Sequence, residues 1–217
     1  NLAKANKKLQ ELYDIEGSDK MQILKLLTRL RQLCLEPRLV YDNIDQPSSK
    51  LKACMELIKT MQENKQKVLL FSSFTSVLDL IAEECQKAGI TYYMLTGSTN
   101  KEDRRELVSR FQKDDTTLFL ISLKAGGTGL NLTSAEVVIH FDPWWNVSAQ
   151  NQATDRAYRI GQKNNVQVFN LVMKDSVEEK IIELQKRKKE LADMFVENNS
   201  GGLSQMSKED ILSLFTM

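Results

Sequence analysis

Through the first third of the chain apolar residues recur at three- and four-residue steps: Met21, Leu24, Leu27, Leu30, then Leu33 with Cys34, until Pro37 interrupts the series. Such spacing puts one apolar stripe on a helix, and proline, lacking an N–H, ends it. Residues 42–49 are polar and read as a loop. Leu51, Cys54, Met55, Ile58 and Met61 predict a second amphipathic helix, with Ser48 or Ser49 as its cap. From Lys67 the pattern changes. Short apolar runs at 68–71, 92–95, 118–121, 137–141 and 166–171 now alternate with helical stretches. Near-continuously apolar strands separated by helices predict a parallel sheet of βαβ units with helices on both faces, a doubly wound α/β domain. Ligands of such sheets gather beyond the carboxyl ends of the strands. Residues 72–75, 97–99, 122–129 and 142–146, polar or glycine-rich, then share one rim. After the sheet, Ser176 with Glu179 predicts a capping box for a helix with Val177, Ile181, Leu184, Leu191 and Phe195 on one face. Residues 198–202 form a polar break, and residues 207–215 a short terminal helix.

Composition narrows the classes open to this chain. Thirty Lys and Arg against 29 Asp and Glu leave a net charge of +1 over 217 residues, so any nucleic-acid contact comes from a local patch, not a basic coat. The basic run at 186–189 reads first as a solvated turn on a packing helix, with a phosphate-contacting patch as the alternative. Cys34, Cys54 and Cys85 sit in apolar-periodic stretches without a CxxC pair, and read as buried free thiols. With His140 the single histidine, no Cys/His zinc cluster can form. No apolar run reaches ~18 residues and no signal-peptide core opens the chain, so no membrane partner and an intracellular compartment are expected. The start at Asn1 fits a piece of a longer protein.

The sharpest chemistry lies in Gln152-Ala-Thr-Asp155-Arg156-Ala-Tyr158-Arg159-Ile-Gly161-Gln162. On a helix capped by Ser148, Gln152, Asp155, Arg156 and Arg159 fall on one face and Ala149, Ala153, Ala157 and Ile160 on the other. Two guanidiniums so presented suit the charge that spreads over phosphate oxygens during phosphoryl transfer, and the same spacing suits a surface helix with ordinary ion pairs. Upstream, Ser122-Leu-Lys124-Ala-Gly126-Gly127-Thr128-Gly129-Leu-Asn131-Leu follows a strand, and its glycines let backbone approach a ligand or make a tight turn. No glycine is followed by lysine and no Asp-Glu dipeptide occurs, so Walker A and Walker B elements are missing. Asp142, before Pro143, reads as a strand end. Asp142-Pro-Trp-Trp-Asn146 places two aromatics in a stiff turn, one for the core and one free to reach a nucleic-acid groove.

Together these segments resemble the C-terminal RecA-like lobe of the Swi/Snf-type ATPases, the double-stranded-DNA translocases of helicase superfamily two. The resemblance covers nearly the whole chain. It runs through Leu30-Arg-Gln-Leu-Cys34-Leu-Glu-Pro37, Ser49-Lys50-Leu51, Val68-Leu-Leu-Phe71-Ser-Ser-Phe-Thr75, Gly97-Ser-Thr99 with Arg104, the glycine loop to Asn131, the Asp142 turn and Gln152 through Gln162. The segment from Leu30 to Val40 looks more like prokaryotic members. Tyr158 and Val147 stand where the family often has histidine and proline. The resemblance implies a RecA-like (P-loop NTPase type) fold, with residues 1–47 linking to an N-terminal lobe, 48–174 forming the C-terminal lobe and 175–217 packing on it as helices. It implies Arg156 and Arg159 as arginine fingers with Gln152 beside them, and Gly127, Gly129, Asn131 and Asp155 near ATP. Ser73, Thr75, Thr99, Ser122, Lys124 and Trp145 would face DNA. ATP and Mg2+ would be held mainly by the N-terminal RecA-like lobe, so this chain alone should not hydrolyse ATP. Localisation would be cytoplasmic and nucleoid-associated in a bacterium or archaeon, nuclear in a eukaryote. A non-catalytic nucleotide-binding module and an RNA helicase lobe are the alternatives.

Overall fold

A computed structural model describes residues 20–126, 130–144, 146–157 and 165–197. Helix α1, Lys20–Leu35, ends in a single turn of 3-10 helix, Pro37–Leu39. Helix α2, Ser49–Glu63, begins where Ser48 Oγ accepts the Leu51 amide at 3.0 Å and donates to the Leu35 carbonyl at 2.9 Å, so one hydroxyl caps α2 and fixes it to the end of α1. The alternation predicted beyond Lys67 follows as β1 Val68–Ser72, α3 Thr75–Lys87, β2 Tyr92–Leu95, α4 Lys101–Lys113, β3 Leu118–Ser122, the short α5 Leu123–Gly126, β4 Val137–His140, α6 Val147–Thr154, β5 Gln167–Asn170 and α7 Val177–Glu197.

All five strands are parallel, in the order β2-β3-β1-β4-β5. In register, Val68 lies between Leu118 and Val137, Tyr92 is opposite Leu118, and Gln167 opposite Val137. Alternate strand residues feed two cores. Leu70, Leu120 and Ile139 pack with Cys54 and Ile58 of α2 and Leu78 and Ile81 of α3 on one face. Leu69, Phe119, Ile121 and Val138 pack with Phe111 of α4 and Ala153 of α6 on the other. The three central strands are therefore buried throughout, which is why their sequences carry no polar alternation.

The fifth run departs from that expectation. Gln167, Val168 and Asn170 are exposed, Val168 at 43%, because among the described residues β5 is an edge strand with one neighbour. A second departure concerns the predicted helix through residue 160. Helix α6 ends at Thr154, and the chain continues in three-residue steps, with Arg156 N donating to Ala153 O at 3.2 Å and Ala157 N to Thr154 O at 3.1 Å. Tertiary bonds take over there: the Arg156 carbonyl accepts from Leu132 N at 3.1 Å, and the Thr154 hydroxyl is bonded to His140 Nε2 at 2.9 Å.

At the start of α7 the Ser176 hydroxyl accepts the Glu178 amide at 3.1 Å, while Glu179 reaches back to the Asp175 amide at 2.8 Å, one residue earlier than a standard capping box. Glu178 turns inward. Both its carboxylate oxygens lie 2.7 Å from Lys50 Nζ of α2, with 4% of the lysine and 1% of the glutamate side chain exposed, and the ammonium sits 5.3 Å from the centre of the Phe141 ring. Burial raises the Glu178 carboxyl above its ordinary pKa, and Lys50 offsets only part of that rise. Cys34, Cys54 and Cys85 are free and buried, and burial pushes the Cys85 thiol up to about 12. Among the described residues no helix is long and apolar enough to cross a membrane. The predicted terminal helix at 207–215 lies outside the described residues.

Candidate nucleotide and nucleic-acid site

Because the strands run parallel, their carboxyl ends share one rim, as the sequence predicts. Its centre is Asp142, 6% exposed, just past β4. One carboxylate oxygen accepts from Ser72 Oγ at 2.7 Å and from the Ser73 amide at 3.0 Å, both at the end of β1. The other accepts from Arg31 of α1 at 2.8 Å and from the Ser73 hydroxyl. That arginine also donates to Ser73 Oγ at 2.9 Å and to the Pro143 carbonyl at 3.3 Å. Its guanidinium carbon lies 5.0 Å from the centre of the Phe74 ring and 5.6 Å from that of Trp144. A carboxylate with its lone pairs so occupied braces the rim and joins α1 to β1 and β4.

Beside this hub stands His140, 2% exposed, stacked on Phe71 with ring centres 5.6 Å apart. Burial holds it neutral, its pKa pushed down to about 4, so it serves as a packed hydrogen-bonding group at neutral pH.

A second cluster lies where the stretch after the glycine loop meets the turn after α6. The Leu132–Arg156 backbone bond stitches the two together, so Asn131 is one residue from the junction on one side and Asp155 one residue from it on the other. Gln112 of α4 fixes the same stretch, donating to the Asn131 carbonyl at 2.7 Å and accepting from the Ser134 amide at 3.1 Å. An amide and a carboxylate can exchange hydrogen bonds with hydroxyl groups, and a guanidinium can donate to phosphate. Among the described residues no group of His, Cys, Asp or Glu could hold a metal ion.

The family of the helicase conserved C-terminal domain matches residues 49–161. This chain belongs to that family. Over 208 residues it is 38% identical to an uncharacterized ATP-dependent helicase of Mycoplasma pneumoniae, an alignment covering 95% of this chain and 20% of that protein. The chain thus spans about a fifth of the length of the curated relatives it matches. The Sulfolobus solfataricus SWI2/SNF2 ATPase core in complex with dsDNA superimposes with a TM-score of 0.73 at 31% identity, covering 91% of this chain and 43% of that one. The C-terminal domain of the Sulfolobus solfataricus SWI2/SNF2 ATPase gives a TM-score of 0.73 at 27% identity, covering 98% of this chain and 91% of that one. The fold is RecA-like, and the relatives are ATP-dependent helicases of the SWI/SNF type.

Within this helicase domain the residues singled out from the sequence fall in different settings. Gln152 and Asp155 are exposed, whereas Arg156 is 4% exposed and lies on the packed side with Ala153 and Ala157. The expected single face is therefore divided, since the chain leaves helical geometry at residue 155. Ser73 is half-buried with its hydroxyl committed to Asp142 and Arg31, and Ser122 is buried opposite Ser72. Thr75 is exposed as the first residue of α3. The Thr99 hydroxyl accepts from the Thr96 amide at 3.0 Å. Lys124 is exposed and makes no hydrogen bond or ion pair to a described residue. Gly127, Gly129, Trp145 and Arg159 lie outside the described residues. Sequence reasoning assigned no partner to Arg31, although its place between Leu30 and Cys34 borders the apolar stripe of α1, and a buried arginine needs an anion.

Proposed function

We propose that this domain is the second RecA-like lobe of an ATP-driven double-stranded-DNA translocase, a two-lobe hydrolase acting on ATP. The observation that carries this reading is the likeness, at a TM-score of 0.73 over 91% of the chain, to an ATPase core solved with dsDNA. In this reading residues 1–47 lead from the N-terminal lobe, 48–174 form the C-terminal lobe and 175–217 pack on it. Arg156 and Arg159, with Gln152, set positive charge and hydrogen bonds against the phosphates of ATP, while Gly127, Gly129, Asn131 and Asp155 lie near the nucleotide. The junction of Leu132 with Arg156 supports placing those two motifs at one site. ATP bound with Mg2+ on the N-terminal lobe supplies the bond that is cleaved. The residues named here orient it and stabilise charge on its phosphate oxygens.

Ser73, Thr75, Thr99, Ser122, Lys124 and Trp145 hold the DNA backbone, which gives grip without reading sequence. Of these, exposed Lys124 and Thr75 are free to meet phosphate directly, and Ser73, its amide and hydroxyl both committed to Asp142, acts by fixing the rim. In the two-lobe protein, Arg156→Ala and Arg159→Ala should each slow DNA-stimulated ATP turnover ~10³-fold or more. Near-normal rates in both would sink the assignment. Stimulation by RNA in preference to duplex DNA would point instead to an RNA helicase lobe.

A further inference from the structure

One face of α4 borders a cavity of about 820 Å³ that shares Asn131 with the junction at Arg156 and Thr99 with the rim, and whose remaining lining neither of them uses. Arg104 and Arg105 stand three and four residues after Lys101, and Val108 follows them by four and three, so all border one face. Thr99, before α4, and Leu130 and Asn131, after the glycine loop, also line the cavity. The latter stretch is set by Gln112, one turn beyond Val108, through its two bonds to Asn131 and Ser134. Arg104 is tied inward, donating to the Ala125 carbonyl of α5 at 3.1 Å, which links the cavity to the stretch carrying Lys124. Lys101 and Arg105, by contrast, are exposed and make no hydrogen bond or ion pair to any described residue.

The helix is not short of carboxylates that could have paired them. Asp103 is taken by Asn100 Nδ2 at 2.7 Å and Glu106 by Arg110 at 2.5 Å, and the exposed Glu102 pairs with neither Lys101 nor Arg105. Among the described residues the two cations thus line one cavity without a counter-ion, beside the apolar side chains of Val108 and Leu130. The volume exceeds what a single phosphate needs and suits a phosphate with sugar on either side.

We propose that this cavity takes a phosphodiester of a nucleic-acid strand, held by Lys101 and Arg105 with the sugar against Val108 and Leu130. The strand is favoured over a free nucleotide because both cations are exposed and Arg104, which lines the cavity, bonds the Ala125 carbonyl next to the exposed Lys124 of the rim. This extends, and rests on, the DNA-binding reading of the rim. It places a backbone contact on the outer side of α4 as well as at the strand ends.

The test is binding of a fluorescently labelled duplex to the 217-residue chain across a salt series, for wild type and for Lys101→Gln combined with Arg105→Gln. Both side chains are exposed, so the double variant keeps its fold, which circular dichroism checks. Its affinity should fall about tenfold, and the slope of log affinity against log salt should become shallower by about 1, as loss of a phosphate contact requires. A parallel arm titrates pyrophosphate while following the amide resonances of Thr99 and Leu130. Equal affinity and slope for both proteins would overturn the cavity proposal and leave DNA binding by the rim intact. Failure of the wild type to bind duplex, with pyrophosphate still bound through Lys101 and Arg105, would overturn the strand as ligand and reduce the cavity to a free-phosphate site. Absence of both kinds of binding would overturn the cavity together with the rim.

Discussion

The Lys50–Glu178 pair gives the sharpest stability prediction. The ammonium meets both carboxylate oxygens at 2.7 Å, and at an effective dielectric constant of ~20 the gross attraction at that distance is about 6 kcal/mol. Opposing it is the removal of two charges from water, which costs several kcal/mol for each ion at 4% and 1% side-chain exposure. The two nearly cancel, and burial holds the Glu178 carboxyl above its ordinary pKa despite the lysine beside it. Removing one partner should therefore cost far more than removing both. Glu178→Leu leaves the ammonium buried against Phe141 and also strips the Met173 amide of its acceptor at 2.8 Å, so about 3 to 5 kcal/mol should be lost. Lys50→Met should lose a similar amount. The double variant Lys50→Met with Glu178→Leu should recover most of that loss, retaining about 1 to 3 kcal/mol for the Met173 amide left without its acceptor. Urea unfolding followed by circular dichroism measures all four proteins, with unchanged m-values showing that the unfolded states are comparable. Single variants within about 1 kcal/mol of wild type, or a double variant as unstable as the sum of the singles, would refute this account of the pair.

Asp142→Ala should destabilise the chain by about 3 kcal/mol or more, because it leaves Arg31 buried without its carboxylate, and thermal unfolding beside Arg31→Met will register it. His140 makes stability depend on pH. The unfolded chain takes up a proton near the ordinary value of 6.5, whereas the native imidazole does so only at about 4. Stability is therefore undiminished above that ordinary value and falls by about 3 kcal/mol as pH drops between the two, a decline that His140→Gln should flatten in urea titrations. The thiols of Cys34, Cys54 and Cys85 should resist a disulfide reagent at neutral pH until the chain is unfolded, since burial raises the pKa of each. Rapid native-state labelling of Cys54 or Cys85 would contradict their burial.

The strands were legible to within a residue at each end because runs such as Val68 to Phe71 and Leu118 to Ile121 are apolar on both faces and bounded by polar residues. The same reasoning overreached at the fifth run, where Val168 and Phe169 do not disclose that only one neighbour pairs with them. It overreached again past Thr154. Helical spacing continues in the sequence there, but the Leu132 amide captures the Arg156 carbonyl, and no local pattern reports a bond between distant segments. For the same reason Arg31 and Asp142, 111 positions apart, could not be paired in advance. Lys50 stood out only as part of a family-like motif, without its partner Glu178. What could be read was that polar and glycine-rich loops would share one rim, since a parallel sheet leaves them no other place.

The strand order has a kinetic consequence. The first two strands in sequence, β1 and β2, do not touch, because β3 lies between them. Until Leu118–Ser122 has been synthesised, neither has its ladder partner, and two apolar strands wait with open edges. Helices α2 and α3 can cover one side of them in that interval, as the shared core of Ile58, Leu78 and Ile81 indicates, but no sheet exists to be stabilised. Emergence of β3 then closes both ladders in one step, over sequence separations that make sheet assembly slow relative to helix formation. A nascent chain stalled within α4 is thus the species most exposed to aggregation, and most in need of a chaperone.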